Sequence, residues 1–505
     1  MKMHLRLFRR MLAEYGDRGI IATPLVLALL TLFLLLSGCI LGPNYRVPDA
    51  KPPAVFRGAS GAAQQASYAD LPWWELFHDE TLRQLIREAL RNNQDMAAAT
   101  ARVEQARQLA VQARSEYFPA IGYGSVISYG HNQFVGSPAS NTQNPQGFLL
   151  AIVRASWEAD LWGRIRRTNE AARAQLLATE EIRRGVMLTL SSDVSQAYFE
   201  LLGLRYRLEI GKQMVQTYTS TLRIFTERFQ GGLGNQLQVS RASADLASTV
   251  ATIPEFERLI ALKENQINVL LGKAPGPIDT RIKLLEESVP LEVPAGLPSS
   301  LLERRPDVLA AAAVVRSANA QIGIARAAYF PTLGLTTFYG KLSTPLADVT
   351  SGHTDAWSLA ASVAGPIYQG GALRARTRQA VANWEEARAR YVQTALNAFR
   401  DVSDALISRE KYDAVRAQLI PAVQSNERSV QISTNRYLEG LSSYNEILEA
   451  EQRLYPAQLA LADTEVSRRL VLVQLYRALG GGWNLSETQW FAGAPVMNPP
   501  PPGRK

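Results

Sequence analysis

Apolar residues recur along this chain with two different periods. From about Gly163 to Gln230 they fall seven apart, with Leu201, Leu208, Val215, Leu222 and Phe229 in one row and Leu204, Gly211, Tyr218 and Phe225 in a companion row. Two such rows form the seam of a coiled coil. From Gly371 to Leu438 the first row persists at Val423, Val430 and Tyr437, while the companion row turns polar at Asn426 and Ser433. Each stretch predicts one unbroken helix, roughly 100 Å long at about 1.5 Å per residue, well beyond the usual length in a globular protein. A shorter helix is predicted before each long one (Thr81–Tyr117, and a counterpart from near Ser299), ended by Phe-Pro, and another after it. End to end, two shorter helices would line one long helix, which predicts a rod or tube.

The second period is two. Ile121, Tyr123, Ile127 and Tyr129 alternate with Gly122, Gly124, Ser128 and Gly130, with Val126 as the exception. After a polar tip, His131–Gly147, the return strand puts Leu149, Ala151, Val153, Ala155 and Trp157 on one face; Leu150 and Ile152 weaken the alternation on the other. Leu333, Leu335 and Tyr339, then Trp357, Leu359, Ala361 and Val363, repeat the pattern around a second polar tip, Lys341–Ala356. These hairpins fit transmembrane β-strands; taken singly, they also fit a water-soluble hairpin covering a helical core. Four strands cannot close a barrel, and lipid does not tolerate open edges. Copies must therefore share one barrel, and an open duct favours three or more.

The two sets of elements are copies of each other. Glu116-Tyr117-Phe118-Pro119 matches Ala328-Tyr329-Phe330-Pro331 at an offset of 212, and from Gly163/Gly371 onward the offset is 208. Asp193-Val194-Ser195 matches Asp401-Val402-Ser403, Arg228-Phe229-Gln230-Gly231-Gly232-Leu233 matches Arg436-Tyr437-Leu438-Glu439-Gly440-Leu441, and Leu271-Gly272 matches Leu479-Gly480. Internal repetition at a fixed offset is the signature of duplicated structural units.

Composition then narrows the function. The formal charge of +8 on 505 residues would suit nucleic acid or a membrane surface. Residues 1–38, however, read as a signal peptide: basic residues precede the apolar run Ile20–Leu36. Setting aside its five bases and two acids lowers the charge from +8 to +5, with no basic cluster left to hold nucleic acid. The signal ends in Leu36-Ser37-Gly38-Cys39, which resembles a lipobox with Cys39 as the lipidation site; the other reading, an uncleaved anchor, needs a longer run. Ile40 in place of Asp resembles lipoproteins sorted to the outer membrane. Cys39 is the only cysteine and the four histidines are scattered, so no disulfide framework or metal site is expected. No later segment holds about 20 uninterrupted apolar residues, so further membrane contact must come from strands. No Gly-x-Ser-x-Gly, Walker loop or His-Glu-x-x-His occurs, and neither an enzyme nor a cofactor is expected.

Several motifs together carry a family resemblance: Gly42-Pro43-Asn44-Tyr45, Trp73-Trp74-Glu75-Leu76-Phe77, Trp157-Glu158-Ala159-Asp160-Leu161-Trp162-Gly163-Arg164, Leu302-Glu303-Arg304-Arg305-Pro306-Asp307-Val308, Gly365-Pro366-Ile367-Tyr368-Gln369-Gly370-Gly371 and Leu479-Gly480-Gly481-Gly482-Trp483. The chain resembles the TolC-like outer-membrane efflux proteins, and within them the NodT-type lipoprotein branch. The resemblance implies a mainly α fold with a β-barrel, in which two repeats of long coiled-coil helices plus a hairpin form a trimer. It implies a 12-stranded outer-membrane barrel on an α-helical periplasmic tunnel. The divisions are 1–38 signal peptide, 39–72 acylated linker, 73–272 first repeat with strands about 118–162, 273–298 equatorial connector, 299–482 second repeat with strands about 330–368, and 483–505 tail, Pro-rich and disordered at its end.

The implied function is the outer-membrane exit duct of a tripartite pump for drugs or other small molecules. A duct for secreted polypeptides or metal ions is the alternative. Expected partners are two further copies, outer-membrane lipid, a periplasmic adaptor and a proton-driven inner-membrane transporter. The family closes its helix ends by polar bonds, and Arg228, Arg436 and Tyr437 stand where such a gate would be. Arg at a helix C-terminus is also favoured by the dipole. Thr434 replaces an acid found in some relatives, leaving Glu427 and Glu439 as weaker substitutes. Gly232, Leu233, Gly440, Leu441 and Ser442 match the adaptor-contacting turns, although glycine there also caps helices.

Overall fold

A computed structural model describes residues 40–59, 67–76, 79–130, 146–280, 282–286, 294, 296–343 and 354–492. The expectations for the signal peptide, Cys39, most of both hairpin tips and the Pro-rich tail lie outside these residues. After a short helix α1 (Trp73–Leu76), the first repeat runs α2 (Glu80–Asn92), α3 (Gln94–Ser115), β1 (Ala120–Gly130), β2 (Gln146–Ala159), α4 (Arg164–Gln230) and α5 (Gln236–Leu270). The second runs α6 (Pro298–Arg304), α7 (Pro306–Ala327), β3 (Thr332–Ser343), β4 (Asp355–Ala364), α8 (Ala372–Leu438) and α9 (Tyr444–Ala478), followed by α10 (Glu487–Ala492). α4 and α8 are each 67 residues and α5 and α9 each 35, so the copies agree in length as well as order.

The helix expected over Thr81–Tyr117 is in fact two. Asn93 leaves helical geometry at ψ 133°, and its side-chain oxygen accepts from the Asp95 and Met96 amides at 2.9 and 3.1 Å. It thus ends α2 and caps α3, as Asn does well. The second repeat breaks at Arg305, held extended by the following Pro306.

By itself α7 is long and apolar enough to cross a membrane, but more than half of its apolar window is buried within the chain. It is therefore better explained as a core helix.

The chain divides into two compact units that cut across the repeats. One contains, of the described residues, 40–47, 106–176 and 314–387; the other contains 48–105, 177–313 and 388–492.

The first unit is built on an antiparallel sheet in the order β1-β2-β3-β4. The register pairs Ile121 with Ala155, Val153 with Tyr339 and Tyr339 with Trp357, so odd-numbered residues of all four strands share one face. The apolar sets expected on the separate strands thus join into one surface. Tyr123, Ile127, Trp357, Leu359 and Val363 on it are all more than 70% exposed in one copy. Below the sheet, Trp162 stacks on Phe330 at 4.6 Å, and its indole N–H donates to the Pro331 carbonyl at 2.7 Å. Asp160 accepts from the Arg166 amide at 2.9 Å and so caps the start of α4.

Residues 40–44 are seated in the same unit. The Leu41 amide donates to the Trp162 carbonyl. Arg167, almost wholly buried, donates to the carbonyls of Leu41 and Gly42 and to the Asn44 side chain at 3.1, 3.3 and 3.4 Å. Gly42 has φ +97°, and a Cβ there would lie 2.5 Å from the Gly323 Cα, so this position is closed to other residues on two counts.

In the second unit the core lies between helices. Trp73, Leu82, Ile86, Leu90, Tyr198, Phe199 and Leu201 are fully buried, or nearly so, and the Tyr198 hydroxyl donates to Asp79, the N-cap of α2.

Candidate functional site

The two long helices end alike. After α4 the Gly232 amide donates to the Phe229 carbonyl at 3.0 Å and the Leu233 amide to Arg228 at 2.8 Å; after α8 Gly440 donates to Tyr437 at 3.0 Å and Leu441 to Arg436 at 2.8 Å. With Gly232 at φ +73° and Gly440 at φ +78°, both ends are Schellman caps. A Cβ at either glycine would meet nothing within 4 Å, so the backbone conformation, not crowding, requires them. Both turns present an exposed leucine, Leu233 or Leu441. Ser442 is half-buried, and its hydroxyl has no partner.

Arg228 and Tyr437 meet. The guanidinium lies 4.7 Å from the ring centroid, and one Nη donates to the Tyr437 carbonyl at 3.4 Å. Tyr437 stands edge-on to Phe225 at 5.3 Å, and Phe225 edge-on to Tyr444 at 4.3 Å. With Ala242 and Ile447 these rings form a buried cluster to which α4, α5, α8 and α9 all contribute. Arg436 lies outside it. It donates to the Leu441 carbonyl at 3.3 Å and pairs with Glu446 at 3.8 Å, both side chains about half exposed. Such a pair contributes little in water. Glu427 accepts from Gln458 at 3.3 Å, and Glu439 is exposed at the turn. The carboxylate that answers Arg436 is therefore Glu446, which the sequence pattern did not single out.

Between Gly211 and Phe225 the buried positions of α4 are Gly211, Met214, Tyr218, Thr221 and Phe225, three and four apart. Over Gly211–Phe225 the expected companion row is thus the core row, whereas further up the helix Leu201 of the first row is fully buried and Leu204 half-buried. The companion row's mates are Met214 and Thr221, whereas Val215 and Leu222 are half-buried and Phe229 is exposed. Opposite lie Tyr444, Ile447, Glu451 and Leu454 of α9, at the same spacing.

Glu451 is a carboxylate in a core position, 1% exposed. One oxygen accepts from the Thr221 hydroxyl at 2.9 Å, and the other has no partner. Burial raises its pKa to about 7, the Thr221 bond opposes this, and the charge of Asp245 adds to it. Burial also pushes Tyr444 up to about 12. Laying the heptad over Tyr444–Leu454 would have shown Glu451 on the seam.

Where the shorter helices break, the repeats use one device with different chemistry. Asn93 donates to the Leu270 carbonyl at 3.0 Å, and Arg305 donates to the equivalent Ala478 carbonyl at 3.2 Å. Arg305 is also held by Asp307 at 2.7 Å and Asp401 at 3.1 Å. Beside this joint is a cavity of about 550 Å³, lined by Asp193, Arg305, Asp307 and Arg477 among others. There Arg305 pairs with Asp307, and Arg477 with Asp193 at 3.7 Å, and burial raises the Asp193 pKa.

Comparison with known proteins follows the same two-part division. A family model described as outer membrane efflux protein matches residues 85–273 and 297–481. The probable efflux pump outer membrane protein TtgC of Pseudomonas putida is 31% identical over 474 residues, covering 91% of this chain and 96% of that one. The probable outer membrane lipoprotein SilC of Salmonella typhimurium is 32% identical over 469 residues, covering 91% and 98%. Among solved structures, the outer-membrane channel OprN superposes with a TM-score of 0.83 at 30% identity, over 88% of this chain and all of that one.

Proposed function

The chain belongs to the outer membrane efflux protein family, and from that membership we propose that it is the exit duct of a tripartite efflux pump, passing drugs or other small molecules to the exterior. It carries out no catalysis. The observation that carries this reading is the sheet: the odd positions of four strands make one exposed apolar face, and each hairpin leads into a 67-residue helix. Four strands leave two edges, which lipid excludes. Three copies supply twelve strands, enough for an open barrel, whereas eight would be filled by side chains. The helices of the trimer form the periplasmic tunnel.

The remaining assignments rest on this frame. Cys39 carries the acyl anchor, and the seating of residues 40–44 by Arg167 supports a fixed attachment point. The turns at Gly232, Leu233, Gly440, Leu441 and Ser442 dock a periplasmic adaptor. An inner-membrane transporter, proton-driven, supplies the energy. At rest Arg228 ties α4 to α8 through the ring and carbonyl of Tyr437, while Arg436 braces its own turn against Leu441 and Glu446.

The test is a host lacking this gene, complemented with the full chain. Susceptibility to antibiotics and solvents, sensitivity to metals, and secretion of polypeptides are measured in parallel. Restored antibiotic or solvent tolerance is the expected result. Restoration of metal tolerance or polypeptide secretion alone would assign the duct to that cargo instead.

A further inference from the structure

We propose that neighbouring copies join with β4 of one against β1 of the next in a single register, Val363 opposite Ser125 and Ala361 opposite Ile127, and that β4 lengthens at this joint to bring Ile367 opposite Ile121. The inference rests on the trimeric reading above and specifies the contact that makes it. It follows from the internal repeat. The offsets found in the sequence carry Ala120 to Thr332 and Ser156 to Ala364. The structure pairs Ala120 with Ser156 and Thr332 with Ala364, so the offsets hold for backbone pairing within the sheet.

The same offsets can be applied to the joint between the two repeats. Within the chain β2 pairs with β3, Ala155 opposite Thr337, Val153 opposite Tyr339 and Ala159 opposite Leu333. Moving β2 onto β4 and β3 back onto β1 turns these pairs into Val363 with Ser125, Ala361 with Ile127 and Ile367 with Ile121. β1 and β4 are the two edges of the sheet, so both are open to take these partners.

Two features of the edge strands agree with it. First, the transposed register joins odd positions with odd and even with even, as the pairing of β2 with β3 does. Ile121, Tyr123 and Ile127 thus share a face with Leu359, Val363 and Ile367, and the apolar band runs unbroken from copy to copy. A slip of one residue would turn the neighbour's band to the polar side. Second, β2 reaches Ala159 because β3 supports it there, whereas β4 stops at Ala364, the counterpart of Ser156. The three residues beyond are the ones that lack a partner in a single copy. Ile367 is fully exposed and Tyr368 is 87% exposed, while Ile121, which the next copy would set opposite Ile367, is 74% exposed. Pro366 has no N–H to give, so Gly365 and Ile367 carry the extension on either side of it.

The joint between copies differs from the joint inside a copy in one respect. Gly370 occupies the place of Trp162, so the indole bond to Pro331 has no counterpart, and Ile367 and Tyr368 supply apolar contact instead.

Disulfide trapping in outer membranes tests the register. Inside one copy β1 and β4 are three strand spacings apart, about 14 Å, too far for a disulfide. A bond between them therefore reports a neighbouring copy. Full-length protein carrying Val363→Cys with Ser125→Cys should give covalent dimers and trimers on oxidation, and each single variant should stay monomeric on a denaturing gel. Val363→Cys with Tyr123→Cys, or with Ile127→Cys, probes slips of two residues. Cross-linking through either of these, or none through the Ser125 pair in a protein that is trimeric by mass, overturns the register and leaves the trimer standing. A protein that is monomeric by mass in detergent overturns the trimer itself.

Discussion

Replacing Glu451 with Gln removes a charge from a core position without changing its shape. The side chain is 1% exposed, one oxygen is bonded by Thr221 and the other by nothing. Its pKa in the folded chain is raised from 4.5 to about 7, first by burial. Below pH 4.5 the folded and unfolded chains both hold the proton, and the site carries no penalty. Between 4.5 and about 7 the unfolded chain loses its proton while the folded one keeps it, so stability falls as pH rises. Above about 7 both are ionised and the loss levels off at ~3 kcal/mol per copy. Gln escapes this loss. Wild type and Glu451→Gln should therefore unfold in urea at similar midpoints near pH 4.5, and the variant should be the more resistant at pH 8.5. Circular dichroism of the purified protein in detergent follows both, and the difference between them cancels the titration of every other carboxylate. A difference that does not change with pH would refute the reasoning, because it would mean that Glu451 is solvated or paired in the folded protein.

Arg305→Ala should lower stability by about 1.5–3 kcal/mol by losing its charge-assisted bonds to the Ala478 carbonyl and to Asp401, which keeps Arg400 as a partner; Asn93→Ala, losing a neutral bond and a cap, should cost about 1–2 kcal/mol. Thermal unfolding of the two variants side by side checks the order. Arg228→Ala should raise single-channel conductance in planar bilayers, since it removes a cation–π contact of about 0.5–2 kcal/mol that ties α4 to α8; Arg436→Ala, whose partners lie at its own turn, should raise it less. Gly42→Ala must adopt φ +97° and intrude on Gly323, so residues 40–47 should become accessible to protease while the sheet and the long helices keep their circular dichroism.

The long helices were legible because seven-residue spacing and a terminal glycine act through local geometry. The sheet face was legible because alternation by two survives on each strand separately. The break at Arg305 is marked by Pro306. The break at Asn93 has no such mark, since an asparagine caps only when its side chain finds the next turn's amides, which is a property of the folded chain. The seam was half legible: the row Gly211, Tyr218, Phe225 is core, but its mates are Met214 and Thr221 rather than the more apolar Val215 and Leu222. Hydrophobicity ranks those residues the other way. The choice is made by where α8 and α9 lie, and by Thr221 being needed to bond Glu451. Glu451 was missed for a related reason, because helix carboxylates are usually solvated and only packing separates it from the rest, and Glu446, itself half exposed, because only the folded turn brings it to Arg436.

The places where the two repeats differ carry information that their likeness does not. A faithful duplication would equip both hairpin-to-helix joints alike. Instead Asp160 caps α4 and Trp162 bonds Pro331 within the chain, while the counterparts Tyr368 and Gly370 do neither. The first joint meets the second repeat of its own chain, where a rigid indole contact is made once, during folding of one copy. The second joint has no such neighbour in one copy, and its residues are left exposed. An apolar, extendable edge is what a surface needs if its partner arrives later as a separate molecule. In a chain with equivalent halves, the divergence from one half to the other therefore distinguishes contacts completed by folding from those left for assembly, and it places the latter at Gly365–Tyr368 and the outer edge of β1.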